Sequence, residues 1–178
     1  PWLLHWLGTA RIGVDPPGAR EILARSHAEA VRHGDERCQV QVAAGIVEAQ
    51  FLEYIRFTPI DPWIAVLETI LRDDYTAPTL EEELRAQSAL LVALTYRMPE
   101  HPGIDRCVER VRALLRTGVN VNLRVSAATH LCLYGTFTGH LEESRRAAAI
   151  LVPLLGDPDV TIFRRSFAWT VVTWFSAS

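Results

Sequence analysis

The stretch VNLRVSAATHLCLYGTFTGHLEESRRAAAILVPLL, from Val121 to Leu155, limits what this chain can fold into more than any other. Asn120 or Asn122 is placed to cap a helix whose apolar positions Val125, Ala128, Leu131 and Leu133 lead to Tyr134. Gly139 then permits a sharp turn, and Leu141 starts a second helix. In that second helix Ser144, Ala148 and Leu151 recur at helical spacing, while Glu142, Glu143, Arg145 and Arg146 occupy much of the remaining surface. The unit reads as an αα-hairpin whose helices cannot bury their apolar sides alone, so it demands a neighbour.

The same unit recurs upstream. LEEELRAQSALLVALTYRM, residues 80–98, predicts a long helix, and after PEHPG the segment IDRCVERVRALLRTG, residues 104–118, predicts a shorter one. Small Cys107 takes the place there that Ser144 takes 37 residues later. ERCQVQVAAGIVEAQFLEYIRF, residues 36–57, leads through TPIDP into WIAVLETILRD, and TIFRRSFAWTVVTWFSAS opens a further long helix. Before these, Asp15, Pro16, Pro17 and Gly18 break the opening segment and Gly34 ends the helix that follows. Pro59 and Pro62 punctuate the middle, with Asp61 in the position of a cap; Thr79 caps the acidic run Glu81–Glu83, and DDYTAPT between them reads as a solvent loop. LVPLLGDPDV reads as a helix distorted or ended near Pro153. The expected fold is all-α, a right-handed αα-superhelix of stacked antiparallel helix pairs forming a single helical-repeat domain over residues 1–178.

Composition removes several classes of function. With 49% hydrophobic and 22% charged residues the chain has material for a sizeable core. A formal charge of -3, with only Arg145–Arg146 and Arg164–Arg165 as basic pairs, provides no phosphate-tracking stripe, so direct nucleic-acid binding is not expected. Cys38, Cys107 and Cys132 are odd in number and sit in helical patterns, which reads as buried thiols in a reducing, cytoplasmic setting. No apolar run is long enough to span a bilayer, and PWLLHWLGTARIG reads as helical material from a longer protein rather than a leader.

Catalytic patterns are missing. There is no phosphate loop, dinucleotide fingerprint, HExxH or GxSxG. The six histidines lack metal-ligand spacing, and His130 and Cys132, two residues apart on a helix, point about 200° apart. Glu81, Glu82 and Glu83 suit the exposed amides of a helix start. Trp63, Phe163, Phe167, Trp169 and Trp174 are read as helix packing in preference to a ligand groove. No catalytic residue, cofactor or metal ligand is expected.

GHLEES after the helix ending YGTFTG resembles the turn of a tetratricopeptide repeat. The resemblance makes Gly139 the turn glycine, Ser144 the small packing residue, Ala148 the larger packing position and Leu151 the next small one. Gly135 then stands where an aromatic is usual, and Cys132 replaces the helix-contact glycine. More broadly, HGDERCQVQVAAGIVEAQF, FTPIDPWIAVLETIL, YRMPEHPGIDRCVERVRALL and the hairpin itself are similar to the helical-repeat region of large bacterial multidomain transcriptional regulators. That resemblance implies a noncatalytic cytoplasmic scaffold in signal transduction and transcription regulation. It would bind another protein, another domain of the same regulator or a small inducer, without a DNA-binding helix or ATP site of its own.

Two other readings stand beside this one: an all-helical enzyme whose site is assembled from distant residues, and a structural oligomerisation segment. The last helix favours the second, because Phe163, Phe167, Val171 and Trp174 form one stripe and Ile162, Trp169, Val172 and Phe175 widen it. A homodimer through the terminal helices is the corresponding expectation. From the absent motifs, calorimetric titration with Zn²⁺ and with Mg-ATP should give no stoichiometric submicromolar binding; either signal would overturn the reading.

Overall fold

Helix starts follow the caps. In the computed structural model, which describes residues 1–72 and 75–177 with the side chains of 175–177 left aside, Asp15 Oδ1 accepts from the Gly18 amide at 3.0 Å where Pro16 opens α2 (Pro16–Arg32). Asp35 Oδ1 accepts from the Cys38 amide at 2.9 Å at the head of α3 (Glu36–Glu53). Thr79 Oγ1 accepts from the Glu82 amide at 3.2 Å for α5 (Leu80–Arg97), and Asn120 Oδ1 from the Asn122 amide at 2.9 Å for α7 (Val121–Thr138).

Other boundaries differ from expectation. Tyr54, at φ 52°, ends α3 in the left-handed conformation before Pro59 is reached. A 3₁₀ turn at Thr58–Ile60 then leads into α4 (Asp61–Ile70), so Asp61 is a first-turn residue and not a side-chain cap. The DDYTAPT loop falls partly outside the described residues, at Asp73 and Asp74. The remaining helices are α1 (Trp2–Arg11), α6 (Ile104–Leu114), α8 (Leu141–Leu154, running through Pro153) and α9 (Ile162–Ala177). Among the described residues the protein is all-α, with no strand, and no helix is long and apolar enough to cross a membrane.

Two compact units emerge, Pro1–Pro78 and Thr79–Ser178. In the first, α1, α2 and α3 enclose Ile12, Ala19, Leu23, Ala30, Cys38, Val42, Ile46 and Ala49, with Trp2, Leu52 and Trp63 packed against them. Trp2 is tied down from two sides: its indole N–H donates to Asp35 Oδ2 at 2.9 Å, and the Arg37 guanidinium lies 5.0 Å from its ring centroid. Arg20 of α2 forks onto the carboxylate of Glu53 in the last turn of α3, so α2 is clamped to the opposite end of α3.

In the second unit the long helices α5, α7 and α9 start at Leu80, Val121 and Ile162, a period of 41 residues. That is longer than the roughly 34 of a tetratricopeptide unit and within the roughly 40–47 of longer helical-pair repeats. Ala86, Ala127 and Ala168 hold the same place in the three helices, and each is wholly buried. Small side chains there let parallel long helices approach closely. Polar links mark each seam. Arg110 of α6 reaches Glu83 of α5 at 2.5 and 2.8 Å, Arg112 of α6 reaches Glu143 of α8 at 2.5 Å, and Asn122 both donates to the Asp159 carbonyl and accepts from the Thr161 amide at 2.9 Å.

The closest approach is between α7 and α8. A Cβ on Gly135 would sit 2.5 Å from Ser144 Oγ and 2.7 Å from both the His140 carbonyl oxygen and the Ser144 nitrogen. Gly135, and not Cys132, is therefore the residue whose missing side chain lets the two helices touch. Helix propensity alone favours alanine over glycine by about 1 kcal/mol. The clash reverses that sign: Gly135→Ala should lower the chemical-denaturation midpoint, and a raised midpoint would refute the close approach.

Candidate functional site

The turn and packing residues read from the sequence gather around the α7–α8 hairpin. Gly139 adopts φ 80° and terminates α7. Ser144 is fully buried; its hydroxyl donates to the Cys132 carbonyl at 2.9 Å and lies 3.1 Å from Thr136 Oγ1. Along α8 the buried line runs Ser144, Ala147, Leu151, while Ala148 is only half-buried, one residue round the helix from the seam. Cys107 is buried on α6, and its thiol donates to the Gln87 carbonyl of α5 at 3.1 Å. Ser144 and Cys107 thus do the same work, each fastening a short helix to the carbonyl of the preceding long one.

No nucleophile emerges from these groups. Burial is the largest influence on the Cys38 and Cys132 thiols and pushes both up, away from the thiolate form. Ser88 Oγ lies 2.7 Å from His130 Nδ1, an arrangement that looks at first like a serine–histidine pair. The same nitrogen is 3.2 Å from the Ser88 carbonyl, and Ser88 is 4% exposed. The pair therefore binds α5 to α7. Among the described residues no three His, Cys, Asp or Glu side chains come together as a metal site. Tyr134, on α7, has its phenol raised chiefly by burial, with Asp105 3.4 Å from its oxygen.

Surface features are more distinctive. In the first unit a cleft of about 330 Å³ is lined by Glu36, Arg37, Ile70, Arg72, Tyr75, Thr76 and Pro78. In the second unit Tyr96, Phe137 and Trp174 form a row from the last turns of α5 and α7 into α9, with ring centroids 5.1 and 5.4 Å apart. Phe137 and Trp174 are 45% and 47% exposed, and Met98 beyond the end of α5 is also exposed. This row crosses three helices and was not visible as a group in the sequence, because its members lie about 40 residues apart with no shared motif.

The expected stripe on α9 is divided. Ala168, Val171 and Val172 are buried, Phe167 is half-buried, and Phe163 and Trp174 remain about half exposed. Phe175 lies outside the described side chains. The helix turns Ala168, Val171 and Val172 inward and leaves several large aromatics at the surface. Compared with protein-family models, with curated proteins and with solved structures, the chain has no match.

One half-buried histidine carries a pH dependence. His27 packs edge-on to Trp63 at a 5.0 Å centroid distance, its Nε2 is buried without a hydrogen-bond partner among the described residues, and burial lowers its pKa from the usual 6.5. Between the folded value and 6.5 the unfolded chain binds more protons, so this contribution to stability is complete above 6.5 and is lost as pH falls through the folded value. Urea midpoints measured from neutral to mildly acidic pH should decline, and His27→Phe should flatten the decline. An identical slope in the variant would count against the assignment.

Proposed function

We propose that this chain is a noncatalytic helical-repeat module, a right-handed superhelix of helix pairs, that binds a protein segment within a cytoplasmic bacterial transcriptional regulator. The observation that carries the binding reading is the row Tyr96, Phe137 and Trp174, whose rings contact one another in turn from α5 to α7 to α9 with Phe137 and Trp174 about half exposed. Aromatic side chains offer large contact area at small entropic cost, and apolar anchors on a partner would find a preformed surface there. The regulator setting rests on the resemblance of the repeat segments. The noncatalytic reading is supported by thiols that burial pushes away from the thiolate form and by a Ser88–His130 pair spent on fastening two helices.

The partner is another domain of the same regulator or a further regulatory protein. Calorimetry of this chain against the other domains of such a regulator should give a 1:1 complex. Phe137→Ala should weaken it about tenfold or more, equivalent to about 1.4 kcal/mol. Full affinity in that variant would move the contact off the aromatic row, and no complex with any domain would reject the reading.

A further inference from the structure

We infer that the cleft at the head of α3 is a binding site for a small zwitterion, a neutral aliphatic amino acid. The inference goes beyond the binding reading above and does not depend on it, since the cleft lies in the first unit and the aromatic row in the second. Helices α3 and α4 form a hairpin, so the end of α4 and the residues after it return to the start of α3. Glu36 and Arg37 of α3 therefore line the cleft together with Ile70 and Arg72. Its volume of about 330 Å³ falls at the lower end of the roughly 300–1,000 Å³ of small-molecule sites.

The lining carries both signs of charge. Arg37 is a basic residue in the first turn of an 18-residue helix, where the aligned backbone dipoles disfavour a cation. Its guanidinium is nonetheless held, 5.0 Å from the Trp2 ring centroid, and the Trp2 indole is itself tied to Asp35, the residue that caps α3. That chain of contacts sets the guanidinium in place before any ligand arrives. Arg72 and Glu36 are exposed, and neither makes an ion pair with another described residue. Two guanidinium groups suit a carboxylate, and Glu36 suits an ammonium. A ligand that carries both groups meets each with its complement, whereas a simple anion would lie against Glu36 and a simple cation against two arginines. Buried Ile70 and the ring of Pro78 add apolar surface for a short aliphatic side chain.

Calorimetric titration of the 178-residue chain with L-alanine, L-valine and L-leucine, each beside its amide and its N-acetyl derivative, tests the site. At least one of the three amino acids should bind 1:1 with a Kd of about 1 mM or tighter, and its amide and N-acetyl forms should bind about tenfold more weakly or worse. Arg72→Gln should weaken the amino acid about tenfold, and Glu36→Gln should abolish the preference for it over its N-acetyl form. Both substitutions fall on exposed residues, so the fold is not at stake. Absence of binding by all three amino acids, equal binding of the amide or N-acetyl forms, or unchanged affinity in both variants would each overturn the inference while leaving the aromatic row untouched.

Discussion

Helix α7 has to be covered on nearly every side, and the second unit is arranged to do it. Nine of its residues are buried, and its apolar residues are spread around the axis, so no single neighbour can shelter it. It packs against α5, α8 and α9 and touches α6. The close approaches this requires are possible only where side chains are small: Gly135 against Ser144, and wholly buried Ala127 and Ala128. Dispersion falls steeply with separation, so a residue one methyl too large at such a crossing costs contacts along the whole seam.

The seams are also directional, because the groups that burial would orphan are paired across them. Glu143 is 8% exposed and shares its carboxylate with Arg112 from α6, whose own guanidinium pKa is raised chiefly by that hydrogen bond. Asn122 uses both ends of its amide to hold the loop before α9. A buried carboxylate without its partner would be strongly destabilising, so these pairs help to specify which helices adjoin. In the first unit Asp35 does two jobs at once, capping α3 with one oxygen and receiving the Trp2 indole with the other.

Against this background the exposed aromatics stand apart. The core spends its small and branched residues on contact, while Phe137, Trp169 and Trp174 keep much of their surface in water. They divide into a row across helix ends and a face on α9, with Trp174 at their junction. The polar pairs in the interior, Ser88 with His130 above all, fasten one helix to the next.

The amino-acid sequence by itself determined the helices. Caps at Asp15, Asp35, Thr79 and Asn120 and the turn at Gly139 are local, since each rests on residues within a few positions of one another. What the tertiary structure decided was the facing. Each residue rotates about 100° round a helix, so Ala147 and Ala148, equally plausible in the pattern, have different fates once α7 is fixed in place. The same holds for Gly135 over Cys132 as the point of contact, and for the inward turn of Ala168, Val171 and Val172 in place of Phe163. Pairings such as Ser88 with His130, or Arg112 with Glu143, join residues 42 and 31 positions apart and have no local signature. They exist only because packing brings distant helices together, and the aromatic row was hidden in the sequence for the same reason.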